Sequence, residues 1–332
     1  MKRSILLVAM FSVAAFGFGI AQAVSTSTSV RGNNLSCSLN GAARGNCPTS
    51  LSVPDGQTLT AVAVANPTTT TTSSTTTTSS THASSSTTSS STSTVPGGRW
   101  QPPQRLRWDW QLSSVPTTPK ANIDATDFDG FDATAANVAT FHNAGQKAIC
   151  YIDAGTFEPG RADSSQFPAS LKGKAVSGWP GEYWLDVRPS GPNYSTLKSI
   201  MLARYQMCKN KGFDAVEPDN VDSWDGNNPG FPTTSADQLA YNEWTATTVH
   251  SLGLAVFQKN DPNQSGTLAG YYDGVMSEQA YQYGDDYSAY EQAGKPHLDA
   301  EYQSGIACNA PPSVMQARFD LNLDGATFAS CW

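Results

Sequence analysis

The sequence is short of positive charge. Lysine and arginine number 20 against 28 aspartates and glutamates, which leaves a net charge of -8 at pH 7, and beyond Lys2 and Arg3 the basic residues never cluster. Nucleic-acid binding requires concentrated Lys and Arg facing phosphates, so no nucleic acid is expected as a partner. Metal-ligand spacing is missing too. There is no Cys-x-x-Cys, and the four histidines, His82, His142, His250 and His297, are scattered without ligand periodicity. A zinc site and a Cys–His nucleophile are therefore unsupported, and no cofactor is expected. No Gly-rich phosphate loop of the dinucleotide-binding kind is found. Apart from residues 5–20, every apolar run is broken by Asp, Gly or Lys, so no later stretch reads as a membrane span.

What is present begins with a targeting signature. Lys2 and Arg3, the apolar run 5–20 and the triplet Ala21-Gln22-Ala23 read as a secretory signal peptide over residues 1–23, which makes the protein extracellular. Six cysteines in a secreted chain are read first as disulfides. Cys37 and Cys47 are close enough to pair, and Cys308 with Cys331 brackets the C-terminal stretch. Cys150 and Cys208 either pair with each other or stay as buried thiols. Residues 24–67 form a small segment of unknown role, too short for an ordinary core. Residues 68–98 are a Ser/Thr-rich linker that cannot bury apolar surface and is expected to be disordered, whether a glycosylated stalk or a passive spacer.

From residue 99 to 332 short apolar runs alternate with helical stretches, the pattern of a parallel α/β sheet. Strands are expected at 108–112, 121–128, 147–153, 183–187, 214–219, 254–258, 274–278 and 297–302. Helices are expected at 133–144, 197–211, 236–252, 287–293 and 312–320, several closed by a glycine. Eight such units in this length predict a (β/α)₈ TIM barrel, in which the active site lies at the C-terminal ends of the strands. Those ends are polar: Trp110 and Gln111, Asp127 and Asp129, Tyr151 and Asp153, Asp186, Glu217, Asp219 and Asn220, Lys259, Asn260 and Asp261, Glu278 and Gln279, and Glu301. Any single Asp after a strand is as often a helix N-cap, but acids at seven of eight ends are hard to explain by capping alone. In Glu217-Pro218-Asp219-Asn220 the two acids share one strand face, and Pro218 ends the hydrogen-bonded ladder. Two carboxylates in one cleft suit glycoside hydrolysis, with Glu278 as the natural partner.

The succession Trp-Asp-Trp-Gln-Leu (108–112), Ile-Cys-Tyr-Ile-Asp-Ala-Gly (149–155), Gly-Trp-Pro-Gly-Glu-Tyr-Trp-Leu-Asp-Val (178–187), Lys-Gly-Phe-Asp-Ala-Val-Glu-Pro-Asp-Asn-Val-Asp (211–222), Gln-Lys-Asn-Asp (258–261) and Ser-Glu-Gln (277–279) resembles the endo-α-1,4-polygalactosaminidase family, glycoside hydrolase family 114. The resemblance implies a TIM barrel that cuts α-1,4-linked galactosamine polymers, with Asp219 as nucleophile and Glu278 as acid/base. It departs at Ser277, where relatives often carry Asn. On this reading the partner is an extracellular amino-sugar polysaccharide, bound by a monomer. A mouth ringed by Asp127, Asp153, Asp186, Glu217 and Glu301 would attract ammonium groups. Trp110, Tyr151, Trp224 and Tyr281 would stack on sugar faces, or else pack the core or rim, Asn260 would bond sugar hydroxyls, and Gln111, Asn220 and Gln279 are further candidate substrate contacts. Lys259 either binds hydroxyls or keeps Asp219 ionised. Two other classes compete: a non-catalytic carbohydrate-binding barrel, and a metal-dependent deacetylase built on Asp153 and Asp219, which the absence of a nearby His disfavours. A glycosidase of another α-glycan is the third alternative.

Overall fold

The structure, a computed structural model, describes residues 98–303, 308 and 310–332, together with the backbone of four short strands between residues 36 and 60. Those four form two antiparallel pairs, Ser36–Leu39 with Ala42–Asn46 and Ser50–Ser52 with Thr58–Thr60. The signal-peptide and linker readings, and the pairing of Cys37 with Cys47, lie outside the described residues.

The larger unit is organised by one sheet. Its strands are β1 (Trp108–Gln111), β2 (Ala125–Asp129), β3 (Lys147–Asp153), β4 (Ala215–Asp219), β5 (Ala255–Lys259), β6 (Gly274–Glu278), β7 (His297–Glu301), β8 (Val314–Phe319) and β9 (Phe328–Ser330). They lie in sequence order, the first eight parallel and β9 antiparallel to β8. The edges approach each other: the Trp108 indole donates to the Met315 carbonyl at 2.8 Å, and the Leu112 amide donates to Leu323 O at 2.9 Å. The result is a parallel-dominated, nearly closed, barrel-like sheet, consistent with the expected TIM barrel. Helices α1 (Ala135–Asn143), α2 (Tyr194–Lys211), α3 (Ser235–Ser251), α4 (Ser265–Leu268), α5 (Ala280–Tyr283) and α6 (Ser288–Gln292) fill the crossovers. No described helix is long and apolar enough to cross a membrane.

Strand parity divides the core into two layers. Trp108, Trp110, Ile149, Tyr151, Ala215, Phe257, Met276, Leu298, Ala300, Met315, Ala317 and Phe319 pack together inside the sheet. The alternate residues, such as Ala148, Cys150, Ile152, Val216, Val256 and Val275, pack outward with Phe141, Ile200, Tyr205 and Tyr241 of the helices. Within that outer layer Cys150 of β3 is disulfide-bonded to Cys208 of α2. Cys308 and Cys331 are also bonded, as the spacing suggested.

Two expected elements are corrected. The 183–187 run is not a barrel strand. Tyr183–Leu185 is the centre of a separate three-stranded antiparallel sheet with Thr156–Phe157 and Lys172–Ala175, inserted between β3 and α2. The expected helix at 312–320 is instead β8. Met315, Ala317 and Phe319 alternate into the barrel interior, and that burial overrides the helix propensity of Met, Gln, Ala and Arg. A helix is absent from the connections β1–β2 and β7–β8 among the described residues.

Candidate active site

The inward parity of each strand decides which polar side chains meet. In β4 Ala215, Glu217 and Asp219 share the inner face, in β5 Ala255, Phe257 and Lys259, and in β6 Gly274, Met276 and Glu278. The same parity in β7, through Leu298 and Ala300, continues to Tyr302. At three consecutive ends the following residue adopts a left-handed backbone: Asn220 (φ 60), Asn260 (φ 46) and Gln279 (φ 58). That conformation turns the chain sharply away and leaves Asp219, Lys259 and Glu278 at the rim. Asn tolerates it readily, whereas for Gln279 it carries strain of the sort that gathers at functional sites. Gly155 completes the arrangement, since a Cβ there would lie 1.6 Å from the Asn220 carbonyl oxygen.

Lys259 is the hub. Its ammonium lies 3.0 Å from Asp219 Oδ1, 3.2 Å from Glu278 Oε2 and 3.3 Å from Glu217 Oε1, and 4.7 Å from the Trp110 ring centre. Each carboxylate has further partners. Asp219 accepts hydrogen bonds from the Tyr151 hydroxyl at 2.8 Å and the Asn220 amide at 2.8 Å. Glu278 accepts from the Tyr302 hydroxyl at 2.5 Å and from Asn260 Nδ2 at 3.1 Å, while Asn260 Oδ1 accepts from the Glu278 backbone amide at 2.9 Å. Glu217 accepts from the Trp110 indole at 3.2 Å. These groups border an open cleft of about 190 Å³, walled by Trp110, Tyr151, Trp179, Glu182, Asp222 and Tyr302.

Burial pushes the Asp219 carboxyl up, but the charge and hydrogen bond of Lys259, with Tyr151 and the Asn220 amide, outweigh it and hold Asp219 below the usual carboxylate range. Burial works against the Lys259 ammonium, yet Asp219, Glu278 and Glu217 together keep it well above its ordinary value. One layer deeper the balance reverses. Burial raises Glu217 despite Lys259, and fully buried Asp127, facing Glu217, is raised well above the carboxylate range. Neither Asp127 oxygen has a donor among its neighbours, so a protonated Asp127 that shares its proton with Glu217 is the arrangement this packing permits.

The structure brings together Trp110, Tyr151, Asp219, Asn220, Lys259, Asn260 and Glu278 at the cleft, with Glu217 and Asp127 sealed beneath it. The remaining candidates are placed elsewhere. Asp153 is buried and holds the loop in place, accepting from Thr156 N at 2.8 Å and Asn220 Nδ2 at 3.0 Å. Gln111 has outward parity and donates to Asp109 at 2.6 Å. Asp186 lies beyond the small antiparallel sheet, paired with Arg188 at 2.7 Å. Gln279 donates to Gln282 at 2.6 Å, and Glu301, of outward parity on β7, accepts from the Gln282 amide at 3.3 Å. Ser277 likewise faces the outer layer, donating to Asp299 at 2.9 Å. Tyr302, Asp222, Trp179 and Glu182 join the cleft without having been singled out from the sequence. Asp222 is pushed up to about 7 by burial and the Asp219 charge. Among the described residues no group of three or more His, Cys, Asp or Glu is arranged to hold a metal ion.

The profile of glycoside-hydrolase family GH114 matches residues 89–323. This chain belongs to family GH114. It is similar to Ega3 of Aspergillus fumigatus, whose crystal structure is a complex with galactosamine: 28% identity, 70% of this chain and 98% of that one covered, TM-score 0.66. The glycoside hydrolase domain of PelA from Pseudomonas aeruginosa shares the fold at 14% identity, with 68% of this chain and 98% of that one covered and a TM-score of 0.50. No curated protein sequence matches the chain significantly. The GH114 chain is thus a glycoside hydrolase, and the cleft around Lys259 is its candidate active site.

Proposed function

We propose that this GH114 enzyme is secreted and cleaves α-1,4-galactosaminidic bonds within galactosamine-containing polysaccharide, with retention of configuration. Asp219 is the nucleophile and Glu278 the acid/base. The observation that carries the reading is the shared ammonium. With Asp219 Oδ1 and Glu278 Oε2 both on Lys259 Nζ, the two oxygens are at most about 6.2 Å apart. That bound, on the nearest oxygen pair, accommodates the ~5–5.5 Å carboxyl spacing of retaining glycosidases.

In the first step an Asp219 oxygen attacks the anomeric carbon, the glycosidic C–O bond breaks, and the Glu278 proton passes to the departing oxygen. In the second, Glu278 takes a proton from water, the water oxygen attacks the anomeric carbon, and the Asp219 ester bond breaks. Asp219 suits its part because Lys259, Tyr151 and the Asn220 amide favour its ionised form. Asn260, clasping both the backbone and the carboxylate of Glu278, fixes the acid's direction. The galactosamine in the Ega3 crystal structure and the acidic cleft, with Asp222 and Glu182 beside the carboxylate pair, support an amino-sugar substrate. The N-terminal signal signature supports action outside the cell.

The test is product release from partly deacetylated α-1,4-galactosaminogalactan, followed by mass spectrometry, for the full chain and its Asp219→Asn and Glu278→Gln variants. Oligosaccharides from the parent and none from the folded variants are expected. A folded parent inert on this polymer and on its fully acetylated form would redirect the assignment to another α-glycan or to a binding role.

A further inference from the structure

We propose that Asp299 is a positioning residue for the acid/base: without meeting the substrate, it fastens the chain on both sides of Glu278 and so fixes where that carboxyl points. The inference rests on the roles proposed above. Asp299 is fully buried on the outward face of β7 and does not line the cleft. One of its oxygens, Oδ1, accepts from the Ser277 hydroxyl at 2.9 Å and from the Ala280 amide at 3.2 Å. Glu278 and Gln279 are the two residues between those points, so a single oxygen atom brackets them. The other oxygen accepts from Gln316 Nε2 of β8 at 3.1 Å, which ties the carboxyl to the next strand.

The bracket lies where the backbone needs support. β6 ends at Glu278, and Gln279 turns left-handed, φ 58, a conformation that a long side chain keeps only when its surroundings over-determine it. Three successive amides supply that support. Glu278 N donates to Asn260 Oδ1 at 2.9 Å, Gln279 N to Ala300 O at 2.8 Å, and Ala280 N to Asp299. Asn260 follows β5, whereas Ala300 and Asp299 belong to β7, so the turn that carries the acid is gripped from both neighbouring strands. Glu301, next on the outward face of β7, extends the grip to the Gln282 amide at 3.3 Å. The Ser277 fastening is directed in its turn. Its hydroxyl has one proton, which goes to Asp299, and its oxygen lies 2.8 Å from His297 Nε2, which then donates to it. His297 Nδ1 lies 3.4 Å from Glu291 Oε1, and Glu291 is held by the Ser313 hydroxyl at 2.6 Å. Ser277, His297, Glu291 and Asp299 are all absent from the cleft lining, so they reach the reaction only through Glu278.

A well-aimed acid matters for a glycosidic oxygen, which takes a proton as it leaves, and not for fluoride, which departs unprotonated with its electron pair. For the full chain, kcat/KM, which reports the first bond-breaking step, would be measured on the galactosamine polymer and on the α-fluoride of a galactosamine oligosaccharide. Asp299→Ala removes the bracket and is expected to lose about 30-fold or more on the polymer, since a misplacement of about 1 Å can cost about 100-fold, yet to stay within about twofold of the parent on the fluoride. Ser277→Ala removes one of the two fastenings, with an expected loss of about fivefold on the polymer and the same indifference on the fluoride, and it carries the test if Asp299→Ala does not fold. Asp299→Asn keeps an acceptor for Ser277 and Ala280 and should return the polymer activity to within about threefold of the parent. Folded variants that lose equally on both substrates, or lose nothing on the polymer, would overturn the positioning role and leave the activity standing. A parent inert on both substrates would overturn the activity and the positioning role with it.

Discussion

At Lys259 one buried ammonium, 3% exposed, meets three carboxylates, and no single pair there can be removed without changing the others. Replacing Lys259 with Met should leave Glu217, Asp219 and Glu278 without their shared cation. Loss of the electrostatic support at the proposed nucleophile, Asp219, is expected to lower kcat at least about 100-fold. Breaking a buried charge network by deleting one partner should cost about 3–5 kcal/mol of stability. The pH profile supplies the discriminating readout. Lys259 is what holds Asp219 below the usual range against burial, so its removal raises the Asp219 pKa and moves the acid-side limb of kcat/KM to higher pH. A variant with lower activity but an unmoved acid limb would assign Lys259 to substrate binding alone. Asp219, Lys259 and Glu278 were legible in the sequence because each ends an apolar run, where barrel active sites lie. Tyr302 was legible by the same logic, two residues beyond Ala300 on the inner parity. Gln111 and Glu301 were overread for want of that parity test: each ends a strand but points to the outer layer. Trp179 and Glu182 stood within the family-like run 178–187, but nothing local placed them at the cleft, since a turn inserted after β3 reaches it only through tertiary packing.

Helix ends carry plainer marks than strand membership does. The capping boxes Thr134–Asn137 and Thr234–Asp237 mark where α1 and α3 begin, and Gly212, in the left-handed region, ends α2. Strand membership was harder, because a short run carries no mark of which sheet it joins. Tyr183–Leu185 is a short apolar run like those of the barrel strands yet sits in the inserted sheet, whereas Val314–Phe319 has helix-forming Met, Gln, Ala and Arg at its centre yet closes the barrel. The Cys150–Cys208 bond ties β3 to α2 across a separation of 58 residues, and Cys308–Cys331 spans only 23. A longer closed loop restricts the unfolded chain more: on the chain-entropy account about 4.2 kcal/mol for the former against about 3.4 kcal/mol for the latter. Double replacement of Cys150 and Cys208 by Ala should therefore lower the denaturation midpoint more than the same change at Cys308 and Cys331. Chemical denaturation of the two variants, compared at equal slope, checks the order. The reverse order would place more of the stability in the C-terminal closure of the sheet than in the strand–helix layer.

Over the whole molecule the acids fall into two populations with opposite responses to pH. Asp222, Asp261 and Glu301 are each pushed up to about 7, first by burial and then by neighbouring carboxylates, and Asp127 and Asp153 are raised for the same reasons. Because their folded pKa values exceed the unfolded 3.8 and 4.5, their contribution to stability is complete below about 4 and is lost as pH rises through about 7. Asp219 and Asp273 are lowered despite burial, Asp219 by Lys259 and Asp273 by His250. Their contribution is present above the unfolded 3.8 and is lost only as pH falls through their depressed folded values. The two trends overlap in mildly acidic solution. The thermal midpoint is therefore expected to peak near pH 4, on the acidic side of the ~pH 5–8 range usual for maximal stability, and to fall as pH rises to about 7. Thermal unfolding from pH 3 to 9 measures this directly, and Asp222→Asn should flatten the decline between about pH 4 and 7 by removing one of the groups responsible. A midpoint that is flat or rising from pH 5 to 8 would mean these acids are already ionised at neutral pH, with the cleft wetter and more strongly anionic than its burial implies.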